Sequence, residues 1–195
     1  MGRNIKVFQT LKNENPSYVE KEGPFICTWS NAWLGTGYYV WETFIDHAHW
    51  WGKTRLKDKY FICEASCILT DDNCFDLVGN TEHMSVFSEA IEEMKREEIV
   101  THKTTVSRVL QFLKIDTELL KFEATRAAGF TSIGRKAHPE LIKEILFEPK
   151  KYNKPAHYLN YRPPIQICLY SKTSLGLNGF QITYPKDVYL DDYVL

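Results

Sequence analysis

The 195-residue chain has no stretch approaching the ~20 consecutive apolar residues that a membrane-spanning helix needs, so no membrane partner is expected. Its opening MGRNIKVF lacks the apolar run of a secretory signal. The five cysteines, Cys27, Cys63, Cys67, Cys74 and Cys168, are an odd number, which fits a reducing, cytoplasmic setting and buried free thiols better than a disulfide framework. Charge of one sign is missing too: 24 Lys and Arg face 25 Asp and Glu, so bulk charge steers the protein neither toward nucleic acid nor away from it. The CxxxCxxxxxxC spacing matches no common zinc pattern. His47 and His49, two apart on a helix, point to different faces, so no metal is expected. There is no P-loop, no GxGxxG after a strand, no GxSxG and no HExxH. Internal repeats, low-complexity tracts and linker-like runs are also absent, and residues 1–195 read as one domain.

What is present is ample material for a core: 44% hydrophobic residues and 14% aromatics. IKVFQTL, PFICTWS and TGYYVW read as short strands punctuated by Asn, Pro and Gly. Phe44, Ala48 and Trp51 recur at helical spacing before Gly52, which predicts a short helix. KYFICEASCILT is the strongest strand, with CFDLVG a short extended coda. A period near 3.6 follows, in the stripes Met84, Phe87, Ile91, Met94 and Val106, Val109, Leu110, Leu113, predicting two amphipathic helices. TELLKFEATRAA reads as a third, capped by Asp116 or Thr117 and ended by Gly129. HPELIKEILF reads as another with Pro139 at its first position. KKYNKPAHYLNYRPP reads as a loop, and IQICLYS and GFQITYP as closing strands. This order does not alternate regularly, so the class is α+β and not a doubly wound sheet.

Three polar positions on strands stand out: Gln9 in VFQTL, Tyr39 directly after two glycines in GTGYYVW, and Gln166 opening IQICLY. Their order resembles the ADP-ribosyltransferase superfamily, in its branch of diphtheria toxin and poly(ADP-ribose) polymerase, which carries His, Tyr and Glu in that order. GTGYYVWETFIDHAHWWG is similar to that family's glycine pair, aromatic strand and helix; Gln166-Ile167-Cys168-Leu169-Tyr170 is similar to its Glu-bearing strand; and EATRAAGFTSI resembles the helix and glycine turn before its acceptor loop. The resemblance implies a split antiparallel sheet with flanking helices and NAD as co-substrate. It would place Gln9, Tyr39 and Gln166 in catalytic positions and Thr10, Gly37, Tyr39 and His47 around the nicotinamide end of NAD, with Ala48 beside them. Gln9 and Gln166 depart from the family's His and Glu. An amide can hydrogen-bond a ribose hydroxyl but cannot act as a base. Glu64 in YFICEASC is the candidate supplementary carboxylate. Residue by residue, a bland account also holds: Tyr38, Tyr39 and Trp41 as core aromatics, Gly35 and Gly37 as a hairpin turn, Gln166 facing solvent.

Between Arg135 and Arg162 seven Lys or Arg face three Glu, with Tyr152, Tyr158 and Tyr161 interleaved. That mixture suits phosphates and unpaired bases. Lys150, Lys151, Lys154, Tyr158, Tyr161 and Arg162 are therefore the expected acceptor-binding residues, with a single-stranded nucleic acid, RNA above all, as acceptor. The resemblance further implies a toxin-like mono-ADP-ribosyltransferase with an antitoxin partner, of the kind aimed at phage infection. The competing readings are a transferase acting on protein, and an inactive module of the same fold that binds an NAD-like ligand or nucleic acid.

Overall fold

The computed structural model describes residues 2–57, 59–115, 121–129, 143–149 and 157–186. In chain order the elements are β1 (Arg3–Lys12), α1 (Pro16–Glu22), β2 (Tyr38–Glu42), α2 (Ile45–Leu56), β3 (Tyr60–Leu69), β4 (Cys74–Asp76), α3 (Thr81–Arg96), α4 (Val106–Ile115), β5 (Ala124–Ala128), β6 (Glu144–Leu146), β7 (Tyr158–Asn160), β8 (Ile165–Leu169) and β9 (Asn178–Tyr184). Seven strands make one sheet in the order β4-β5-β8-β2-β1-β3-β9. Every neighbouring pair is antiparallel except β4 and β5. β6 and β7 pair separately as a two-stranded ribbon. A mixed fold with a mostly antiparallel sheet agrees with the α+β expectation. Among the described residues no helix is long and apolar enough to cross a membrane.

The alternation of each strand sorts side chains onto two faces. Val7, Val40, Ala65, Cys67, Ala124, Ile167 and Leu169 form one core layer, closed by Leu175. On the opposite face, Phe8, Trp41, Tyr60 and Ile62 lie under α2, where Ala48 is fully buried. The same face continues to Phe75 and Cys168, covered by Ala90 and Met94 of α3 and Val109, Leu110 and Leu113 of α4. Asn80 starts α3 by accepting from the Glu82 and His83 amides at 3.0 and 3.1 Å, which satisfies donors that the first turn leaves free.

Three expected elements differ. PFICTWS is not a ladder strand: Pro24 has no N–H, Phe25 bonds to a side chain of β1, and Cys27 makes only an isolated bridge to Gly37. Of the expected helix in TELLKFEATRAA, residues 116–120 lie outside the described residues, and Ala124–Ala128 is a strand. Its alanines favour helix intrinsically, but β8 pairs with one edge along its whole length and β4 with the other at Ala124–Arg126, so most of its backbone groups find ladder partners. The end of HPELIKEILF is also extended: Glu144–Leu146 pairs with Tyr158–Asn160, which the sequence placed in a loop. The reading missed α1, although Asn15 caps it at the Tyr18 amide (3.0 Å) and Pro16 sits at its start.

Candidate functional site

The strands carrying Gln9, Tyr39 and Gln166 are consecutive in the sheet, as β1, β2 and β8. Register places Tyr39 opposite Cys168, and Trp41 opposite both Gln166 and Phe8. Cross-strand partners share a face, so Tyr39, Trp41 and Gln166 all look toward the helix side. Gln166 is half-buried, and among the described residues its amide has no hydrogen-bond partner. A strand residue placed beside buried Trp41 with an uncommitted amide is able to hold a ligand hydroxyl.

Gln9 follows Phe8 and therefore points to the other face. β1 and β2 pair only at Val7–Glu42 and Phe8–Trp41; beyond that they separate, and the Gln9 amide fills the gap. Its Nε2 donates to Phe25 O (2.8 Å) and Tyr39 O (3.3 Å), and its Oε1 accepts from Phe25 N at 2.8 Å. Gln9 thus acts as a surrogate ladder between the two strands, and the structure does not bring its amide to the side of Gln166.

Tyr39 is likewise engaged. Its hydroxyl accepts from Leu34 N at 2.7 Å and donates to Gly35 O at 2.8 Å, pinning the turn in which Gly35 has φ +87°. Burial pushes its pKa up, so it stays neutral. Gly37 abuts β8 so closely that a Cβ would lie 2.4 Å from Cys168 Sγ and 2.6 Å from Leu169 O; only glycine lets the strands meet here. Thr10 donates to Ala48 O at 2.8 Å and anchors α2 to β1.

His47 is 2% exposed, with ring centroids 5.6 Å from Trp41 and 6.1 Å from Phe44. Among the described residues neither ring nitrogen has a hydrogen-bond partner. Burial lowers its pKa, and the nearby backbone of Arg162 and Pro163 pulls more weakly the other way. The imidazole is neutral at pH 7. Among the described residues its donor and acceptor meet only the nearby backbone of Arg162 and Pro163, short of good hydrogen-bond geometry, a condition that buried polar groups rarely tolerate without a functional reason.

Of the expected acceptor residues, Lys150, Lys151 and Lys154 lie outside the described residues. Tyr158 and Tyr161 are 38% and 53% exposed, on and just after β7. Arg162 is paired: its Nη1 sits 2.6 Å from Asp46 Oδ2 and its guanidinium lies 5.4 Å from the Phe44 ring. Glu64 is opposite Phe8, which puts it three strands from Gln166, about 14 Å away at ordinary strand spacing. It pairs with Lys6 at 2.6 Å and cannot reach the same atom as Gln166.

Sequence reading missed a buried charge cluster on the opposite face. Arg126 bonds Glu42 through Nε (2.5 Å) and Nη2 (3.0 Å), and both Asp76 oxygens through Nη1 (2.9 and 3.0 Å). Asp76 also accepts from the Val78 and Gly79 amides, at 2.8 and 3.1 Å. The available signal was charge on the inward positions of the strands YYVWE, CFD and ATRAA. A cavity of about 320 Å³ opens beside it, lined by Arg3, Asp71, Asp76 and Arg126 among others. Its buried charges Arg126 and Asp76 are already satisfied, together with Glu42, and it opens on the other face of the sheet from Gln166.

Four of the five thiols are buried, and burial pushes those of Cys63, Cys67 and Cys168 up to about 12, so they are poor nucleophiles at pH 7. Among the described residues no three His, Cys, Asp or Glu side chains gather as a metal site. No family model, curated protein or solved structure matches the chain.

Proposed function

We propose that the chain binds NAD on the α2 face of the sheet and transfers its ADP-ribose to a macromolecular acceptor, single-stranded RNA above all, as an ADP-ribosyltransferase of split-sheet type. One observation carries this reading. Gln166 and Tyr39 share a face on adjacent strands where β1 and β2 part, and α2 from the motif GYYVWETFIDHAHWW packs on the β1, β2 and β3 part of that face, with its buried His47 lacking a hydrogen-bond partner among the described residues. The unused amide of Gln166 and the ring nitrogens of His47 are the groups that fit a ribose hydroxyl and a carboxamide. The half-buried Tyr39 ring, with its hydroxyl fixed, offers a rigid edge for the nicotinamide.

Cleaving the glycosidic bond builds positive charge on the ribose carbon, which an adjacent carboxylate would stabilise and a neutral amide does not. Gln166 therefore orients the ribose and removes no proton, so the acceptor must be nucleophilic without one. Glu64, the candidate supplementary carboxylate, lies about 14 Å from Gln166, which favours the second reading: a module that binds an NAD-like ligand without turnover. A cytoplasmic toxin with a protein antitoxin is the biological setting proposed with the first reading.

Incubation with NAD labelled in the adenylate phosphate, together with RNA, DNA and lysate protein, tests both. Label on RNA is the expected result. Label on protein moves the acceptor class, NAD binding without label selects the second reading, and no NAD binding at millimolar concentration overturns both.

A further inference from the structure

A chain of indoles runs from the floor of this face to the surface. Trp41, opposite Gln166, meets Trp50 edge-on at 6.3 Å; Trp50 lies 6.1 Å from Trp51; and Trp51 lies 6.1 Å from Trp29. Trp29, in the loop before β2, is 55% exposed. The guanidinium of Arg55 stands 5.4 Å from the Trp51 ring. In the same segment of chain Lys53, Arg55, Lys57 and Lys59 are all exposed, and among the described residues none of them makes an ion pair; Arg55 is the one that stands over the outer indoles, while Lys53 is on the side of His49. Residues 53–59 hold these four cations and a single carboxylate, Asp58, in a chain whose net charge is −1. Complementing the helix dipole accounts for Lys53 and Arg55 in the last turn of α2, but Lys57 and Lys59 lie beyond it.

We infer that this end of α2, with Trp29, is a binding surface for single-stranded nucleic acid: an unpaired base stacks on Trp29, and the phosphates on either side meet Lys53, Arg55, Lys57 and Lys59. Exposed indole is uncommon on a protein surface, and its pairing with uncommitted cations matches the two things a single strand offers, π-faces and regularly spaced phosphates. A duplex hides its base faces and lacks the first of these. The indole chain then points the strand toward Gln166. The inference rests on the proposed function only for the acceptor class, and it assigns that acceptor to a different segment from residues 135–162. NAD binding plays no part in it.

Fluorescence anisotropy of the full chain with labelled oligouridylate of about 12 nucleotides, at several salt concentrations, tests it. Four phosphate contacts give a log-log salt slope of about −3 for a single strand. Replacing Lys53, Arg55, Lys57 and Lys59 together with Ser removes most of that slope, whereas replacing Lys95, Arg96 and Lys103 with Ser leaves it. Trp29→Ala weakens binding about 5- to 150-fold at unchanged slope, and Trp29→Tyr recovers most of the loss. The milder pair Arg55→Gln and Lys57→Gln, with circular dichroism, covers the case in which the fourfold variant fails to fold. The inference is overturned by no saturable binding at low salt, by tighter binding to a duplex, or by a slope that vanishes with Lys150, Lys151 and Lys154 instead. Calorimetry with NAD on the same variants reads the other proposal separately, since none of these substitutions touches Gln166, Tyr39 or His47.

Discussion

Gln9 and Gln166 are the same residue type on strands of one sheet, and they make opposite demands on the fold. Three hydrogen bonds hold the Gln9 amide to backbone groups 16 and 30 residues away, whereas Gln166 has none among the described residues. Gln9→Leu should therefore lower stability by about 1–3 kcal/mol, because it leaves the half-buried Phe25 N–H and carbonyl without their partners. Gln166→Ala should change stability by less than about 0.5 kcal/mol while lowering turnover far more than NAD affinity. Urea denaturation and label transfer measure the two effects. Equal transfer by wild type and Gln166→Ala at saturating NAD would remove Gln166 from the reaction. Both glutamines were legible as polar interruptions of apolar strands. Which of them was already spent was not legible, since the partners of Gln9 are main-chain atoms of a loop whose path the sequence does not specify.

His47 also acts at the scale of a residue. Its folded pKa lies below its unfolded value of about 6.5, so above that pH it has no effect on the balance. As pH falls below about 6.5 the unfolded chain takes up a proton that the buried ring resists, and stability drops until the folded pKa is passed. His47→Phe, which keeps a ring between Trp41 and Phe44, should flatten the stability profile below about pH 6.5. It should hold stability at pH 7, since no hydrogen bond is lost. If His47 contacts the nicotinamide, the same variant weakens NAD binding. An unchanged pH profile would show that His49, whose pKa is also lowered by burial, carries the dependence.

At the scale of elements, periodicity located the strands and helices that carry β-branched or aromatic runs or apolar stripes, and failed where, as in β5, the residues have no strand preference of their own. α3 and α4 announced themselves by apolar stripes, and β3 by its β-branched and aromatic run. β5 did not, because alanine suits the close space between β4 and β8 as well as it suits a helix. The decisive residue in β5 is Arg126, which joins β2 through Glu42 and β4 through Asp76. Removing it strands two buried carboxylates, so Arg126→Ala should cost about 3–5 kcal/mol. The triple change Glu42→Gln, Arg126→Met, Asp76→Asn should cost less than Arg126→Ala alone, because no charge remains buried. Chemical denaturation of the two variants decides it. A triple variant as unstable as the single one would assign the loss to packing and not to unpaired charge.

For the whole molecule, the strand order β8-β2-β1 is what brings distant motifs together, and no local pattern encodes it: Gln166 reaches Trp41 across more than a hundred residues of chain. A ligand seated across that junction must stabilise all the elements meeting there, since it binds only the folded chain. At NAD concentrations 100 times its Kd the gain is about 2.7 kcal/mol, which for a domain of this size raises Tm by roughly 5–10 °C. Tyr39→Phe lowers the unliganded Tm, because Leu34 N and Gly35 O lose their partner, but keeps the rise with NAD, because the ring remains. Tyr39→Ala lowers the unliganded Tm and abolishes the rise. Gln166→Ala leaves both nearly as in wild type. Differential scanning fluorimetry over a series of NAD concentrations separates these patterns, with nicotinamide alone and AMP alone as partial ligands. A rise that survives Tyr39→Ala but follows AMP and not nicotinamide would place the dinucleotide elsewhere on the sheet, with its adenylate half supplying the contacts.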